Sequence, residues 1–102
     1  MKRYIRSSSN TDTLQISSAM QKLIDNIVAE WKHDMLEQDC ETFKEFCQVN
    51  DYEASDIRNE IRYMVDHMFG GYMYDDGTVV GASDDTEMPY REFKKAVIDK
   101  LK

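Results

Sequence analysis

Between Thr13 and Asp39 the large apolar residues Ile16, Met20, Leu23, Ile24, Ile27, Val28, Trp31 and Met35 recur at steps of three and four. That spacing follows the turn of an α-helix and gathers them on one stripe, which must be buried against something else. Ser18 with Gln21 three residues on fits a capping box, in which each side chain satisfies the other residue's free backbone N–H. A start one turn earlier fits the stripe equally well. A second box, Thr42 with Glu45, opens a short segment of Phe43, Phe46, Cys47 and Val49 and predicts a two-turn helix ending near Asn50. Ala54, Ile57, Ile61, Met64, Val65 and Met68 share one face of a third helix, for which Gly70-Gly71 supplies a left-handed stop. Pro89 opens a last amphipathic stripe of Tyr90, Phe93, Val97 and Leu101.

Between the third and last helices, Tyr72-Met73-Tyr74 and Thr78-Val79-Val80 flank Asp75-Asp76-Gly77, and Asp-Gly favours a tight type I′ turn between antiparallel strands. Two strands alone are marginal in water. The hairpin must therefore pack on a helix or gain a third strand, for which the alternating Lys2 to Arg6 is the candidate. The fold class expected is α+β, mainly helical, with three or four helices packed on a small antiparallel hairpin or three-stranded sheet. No repeat and no proline- or glycine-rich linker divides the 102 residues, so they read as a single domain, 1–102.

The chain is 41% hydrophobic and 32% charged, too apolar for a disordered chain and too polar for a membrane one. With no apolar signal core after Met1 to Arg6, neither secretion nor membrane insertion is indicated, and a water-soluble cytoplasmic protein is expected. Cys40 and Cys47 are too few for a disulfide scaffold and read as free thiols or ligands. The net charge of −7 is unevenly spread: residues 7–88 hold eighteen acids against five Lys and Arg, while both ends are basic. An acidic body repels nucleic acid, so direct DNA or RNA binding is not expected.

Nucleophile, phosphate-cradle and metalloprotease spacings are absent, so no catalytic residue is assigned and the chain does not read as an enzyme. One arrangement resembles a metal site: His33, Cys40 and Cys47 at intervals of seven, with His67 from the next long helix as a fourth ligand. Imidazole and thiolate are the groups zinc prefers, and four of them close a structural site. Seven residues of straight helix span about 10 Å, so sharing one ion requires the chain to break near Cys40 to Thr42. Asp34, Glu37 or Asp39 could replace one ligand. The plainer reading makes the cysteines small buried hydrophobes.

Asp75, Asp76, Asp84, Asp85 and Glu87 crowd around the hairpin without an intervening base and without the ligand pattern of an EF-hand. They read either as a solvated turn or as a negative surface for an arginine- and lysine-rich partner. Tyr63, Tyr72, Tyr74 and Tyr90 add amphipathic rings nearby, with Tyr72 and Tyr74 placed beside the acids as partner-binding residues.

The opening Met1-Lys2-Arg3-Tyr4-Ile5-Arg6-Ser7-Ser8 resembles the start of small proteins encoded by phages and mobile elements of Firmicutes-type bacteria. Small size and an acidic body are similar to anti-CRISPR proteins, which have no shared motif from which residues could be carried over. The resemblance implies a non-enzymatic inhibitor that competes for the basic, nucleic-acid-binding surface of an RNA-guided CRISPR nuclease. Two alternatives stand beside it: a small metal-dependent hydrolase using His33, His67 and neighbouring carboxylates, and a structural or regulatory subunit of a mobile element. A homodimer is compatible with all three.

Overall fold

The computed structural model describes residues 17–102. In chain order they form α1 (Ser18–Glu37), α2 (Phe43–Val49), α3 (Ala54–Tyr63), a π-helical turn (Met64–Met68), β1 (Tyr72–Met73), β2 (Val79–Gly81), β3 (Thr86–Met88) and α4 (Tyr90–Leu101). This is the mainly helical α+β arrangement expected from the periodicities, with the strands in order β1-β2-β3. The strand expected at residues 2–6, and the helical stripe before Ser17, lie outside the described residues. Among the described residues the third strand of the sheet is β3, in a stretch expected to be loop.

Every described member of the first stripe, from Met20 to Met35, is buried. Helix α1 packs most extensively on α4, whose Phe93, Val97 and Leu101 are also buried, and it touches β2 and β3. Ile61, Met64, Val65, Met73, Val79 and Phe46 complete one continuous core. Each fully buried side chain of this kind contributes about 1.5–3 kcal/mol, which is what holds so short a sheet in place.

The caps decide where elements start. Ser17, not Ser18, is the N-cap of α1: its extended backbone lets Oγ accept from the Met20 N–H at 3.1 Å. Thr42 caps α2 as expected, accepting from Glu45 N–H at 3.1 Å, but the Glu45 carboxylate reaches back to Glu41 N–H rather than to Thr42. Between these helices Asp39 takes a left-handed φ of 57°, and Asn50 donates to Gln38 at 2.8 Å, tying the two helix ends together.

The third helix departs from its expected regularity. Phe69 N–H reaches back five residues to the Met64 carbonyl, and this wider turn places Met64 and Val65 in the core while Met68 swings out to 45% exposure. Ala54, also expected on the buried face, is exposed. Gly70 then takes φ 81° and ends the segment. Its neighbour has a different role, since a Cβ on Gly71 would lie 2.7 Å from the Val80 carbonyl oxygen and 2.9 Å from Leu23 Cδ1. The sheet closes on α1 only because that side chain is absent.

Tyr72 pairs with Val80 and Met73 with Val79. Across the loop, Tyr74 N–H donates to the Thr78 carbonyl and Gly77 N–H to the Tyr74 carbonyl, both at 2.9 Å, and within it Gly77 alone has positive φ. The connection is therefore a three-residue loop ending in a glycine bulge, not the two-residue type I′ turn expected, which needs positive φ at two successive residues. On the outer edge of β1, Asp66 accepts from Met73 N–H at 2.9 Å, so this strand edge is already satisfied. No described helix is long and apolar enough to cross a membrane.

Candidate functional site

The pairing Met73–Val79–Met88 turns one row of side chains toward the core, so the row Tyr72–Val80–Glu87 faces outward. Tyr74, two residues after Tyr72, joins that outer face. Its ring meets that of Tyr72 edge to face at 5.3 Å, and the two hydroxyls stand 3.4 Å apart. Both tyrosines remain more than 40% exposed, at 43% and 42%, while Val80 in the same row is only 2% exposed and lies outside the main core cluster. Val80 is covered from solvent, so what the outer face presents is the two amphipathic rings. At 3.4 Å the two hydroxyls share one long, weak hydrogen bond, and each keeps the capacity for a further partner.

The hydrogen bond with the Tyr72 hydroxyl, followed by electrostatic coupling to that group and slight desolvation, pushes the Tyr74 phenol up to about 12; Glu87 and Asp85 push the same way. Tyr74 is therefore a neutral donor at any physiological pH, in a field of carboxylates. Neither Asp85 nor Glu87 is among the carboxylates that form ion pairs within the described residues.

The remaining three acids of the expected surface are placed differently. Asp75 lies 3.3 Å from Arg62 Nη2, and Arg58 donates to its backbone carbonyl at 3.1 Å. Asp76 accepts from Thr78 N–H at 2.9 Å, which holds its carboxyl below the usual range. Asp84 is bound to Thr86, accepting from Oγ1 at 2.6 Å and from N–H at 3.2 Å, and these bonds lower its carboxyl too. Arginines thus edge the turn, and Asp84 is engaged in shaping the β2–β3 connection. Arg58 and Arg62 were not singled out from the sequence, although Arg62 and Asp66 stand at the i, i+4 spacing of a helix ion pair.

The four expected zinc ligands do not converge. Cys40 is buried, and its thiol lies 3.7 Å from the Gln38 carbonyl; burial raises its pKa, and Glu45 and Asp39 add to this. Cys47 faces a different groove; burial raises it as well, against a smaller opposing effect of Lys94. His67 packs its exposed ring 5.0 Å from that of Tyr63. His33 sits on the outer side of α1 with Asp34 and Glu37, the described trio whose ligand atoms fall within 4.8 Å of one another. Its two ring nitrogens face different carboxylates, Nδ1 toward Asp34 and Nε2 toward Glu37, each at 3.7 Å. With His33 and Glu37 65% exposed, nothing there excludes water from a reacting group.

No family model matches the chain, and no curated protein or solved structure is significantly similar to it.

Proposed function

We propose that this protein is a non-enzymatic binding module whose outer sheet face grips a basic, nucleic-acid-binding surface of another protein, inhibiting it as anti-CRISPR proteins inhibit RNA-guided nucleases. The observation that carries this reading is the pair of half-exposed rings, Tyr72 and Tyr74, beside Asp85 and Glu87, carboxylates that form no ion pair among the described residues. Tyrosine brings large contact area at low rotamer entropy, and adjacent carboxylates match arginine and lysine in both charge and hydrogen-bond geometry. A surface that offers both suits a partner rich in cations. The hydrolase alternative has only the open His33 group in its favour.

The test is cleavage of target DNA by an RNA-guided nuclease of a Firmicutes-type host, titrated with this protein at low and high salt. Cleavage is expected to fall stoichiometrically at low salt and to recover as salt rises. Tyr74→Ala, removing a central anchor, is expected to weaken the complex by about 2 kcal/mol, roughly thirtyfold. Full cleavage at every ratio, with no complex at low salt, would sink the proposal.

A further inference from the structure

Two arginines of α3 reach the connection that follows Tyr74. Arg62 stands 3.3 Å from the Asp75 carboxylate and 3.5 Å from that of Asp66, whose other oxygen accepts from Met73 N–H. The Asp75 side chain is fully exposed, and an ion pair in open water restrains little. Arg58 is the more enclosed of the two, half-buried where Arg62 is exposed. Its Nη2 donates to the Asp75 backbone carbonyl at 3.1 Å, and its guanidinium carbon lies 5.1 Å from the centre of the Tyr90 ring at the start of α4. Gly77, buried at the end of the connection, sits against the same pair: a Cβ there would lie 2.9 Å from Arg58 Nη1 and 3.0 Å from Tyr90 Cβ. The Tyr90 hydroxyl is buried with no hydrogen-bond partner among the described residues, so this tyrosine contributes the face of its ring and not its polar end. A planar guanidinium can lie over a ring and donate to a carbonyl at the same time, which a lysine ammonium cannot.

Three anchors of this connection fall on the backbone around Tyr74. Met73 N–H is held by Asp66, the Asp75 carbonyl by Arg58, and the Tyr74 carbonyl by the N–H of Gly77, the residue that sits against Arg58. The Tyr74 ring itself meets the ring of Tyr72. We infer that Arg58, seated on the Tyr90 ring, is a positioning residue for the sheet face: by fixing the Asp75 carbonyl and Gly77 it fixes the backbone of Tyr74, and so sets the Tyr74 ring against Tyr72 before any partner arrives. The inference rests on the reading of these two rings as a contact surface and adds how that surface is preset. A ring already ordered loses less freedom on binding, which is worth about fivefold in affinity for one side chain. Tyr90 then belongs to the support of the face and not to the face.

The test reads Tyr74 itself, by carbon-13 NMR of the tyrosine-labelled full chain with the Tyr74 signal assigned from Tyr74→Phe. With its phenol raised to about 12, Tyr74 is about one-tenth ionised at pH 11, whereas a tyrosine released from its neighbour, with an ordinary value of about 10, is about nine-tenths ionised. Arg58→Ala is expected to raise the ionised fraction of Tyr74 at pH 11 severalfold. The sign is decisive, because removing a nearby cation does the opposite by charge alone: it disfavours the phenolate and lowers that fraction. Arg58→Lys, which keeps the charge and loses the fork, is expected to move in the same direction as alanine. Tyr90→Leu is expected to follow it, and Tyr90→Phe to match the parent. Arg91→Ala, the same loss of charge at an exposed arginine of α4 that enters no ion pair among the described residues, is expected to change nothing. Circular dichroism at pH 11 checks folding, and a variant that unfolds there is read at pH 7 by the nuclear Overhauser contact between the Tyr72 and Tyr74 rings, which Arg58→Ala is expected to weaken. A folded Arg58→Ala whose Tyr74 ionises no more than the parent's, or whose two rings keep full contact at pH 7, would overturn the inference. Failure of the parent to bind a nuclease would instead remove the contact-surface reading, while the ionisation result, which needs no partner, still decides whether Arg58 sets the ring.

Discussion

Gly71 has the tightest surroundings of any described glycine, and they consist partly of backbone, which cannot move aside as a side-chain tip can. Gly71→Ala is expected to destabilise the fold by about 1–3 kcal/mol, the range for overpacking a close contact, as read by chemical denaturation. An unchanged midpoint would mean that α1 and the sheet are not in fact pressed together at this point. The hydrogen-bonded aspartates give a second residue-level expectation. Asp84, Asp76, Asp25 and Asp99 are all held below the ordinary carboxylate value, chiefly by bonds to Thr86, Thr78, Lys100 and Lys95 respectively. A carboxyl lowered in the folded state adds stability above its unfolded pKa of about 4, and that contribution is lost as pH falls through the lower folded value. Thermal melts should therefore drop steeply below about pH 4, and Asp84→Asn should flatten part of that slope. Equal slopes in the two proteins would show that Asp84 does not titrate as its bonds imply. Residue chemistry was the least legible from sequence. The intervals of seven among His33, Cys40 and Cys47 suggested a shared ion, but spacing says nothing about facing, and the left-handed turn at Asp39 leaves Cys40 buried while His33 stays in solvent.

Elements were far more legible, because burial of an apolar stripe imposes a period that the chain must display. Every described residue of the first stripe reached the core, as did Phe93, Val97 and Leu101 of the last, with Tyr90 half-buried against it. The failures have local causes: β3 is three residues of mixed polarity, too short to alternate visibly, and the π-helical turn shifts its register without any proline or glycine to announce it. The cap of α1 falls one residue before the Ser18 expected, because Ser17 and Ser18 are equally good caps by type and only the extended backbone at Ser17 distinguishes them. Substitution separates them experimentally. Ser17→Ala is expected to cost about 1 kcal/mol, since it leaves Met20 N–H without its acceptor, while Ser18→Ala on the exposed first turn stays within about 0.5 kcal/mol of the parent. Ser17 Oγ also stands 2.7 Å from Thr86 Oγ1, so the cap links α1 to the edge strand that carries Glu87. Its loss is therefore expected to loosen β3 as well, seen as faster amide exchange at Thr86 and Glu87. Equal effects of the two alanines would move the helix start back to Ser18.

At the scale of the whole molecule, charge is the property that the sequence announced and that folding redistributed. Eighteen acids against five Lys and Arg in residues 7–88 implied one negative surface, but a sequence does not show which acids the tertiary structure will consume. Arg62 approaches Asp75, Thr86 engages Asp84, and Lys100 crosses from α4 to Asp25, so the portion left to Asp85 and Glu87 is small and sits beside two tyrosines. The same imbalance acts on stability. Most described ion pairs are exposed and individually worth about 0–1 kcal/mol, whereas the repulsion among unpaired carboxylates is shared by the entire compact chain. Salt screens both, over about 30 Å at 0.01 M and about 3 Å at 1 M, and the longer-ranged repulsion is the one that screening removes most completely. Sodium chloride is therefore expected to raise the melting temperature at pH 7, while weakening any partner held by Asp85 and Glu87. Stability and binding should move in opposite directions along one salt titration. Were added salt to lower the melting temperature instead, local pairs such as Lys100 with Asp25 would dominate the electrostatics, and the acidic excess would already be neutralised within the fold.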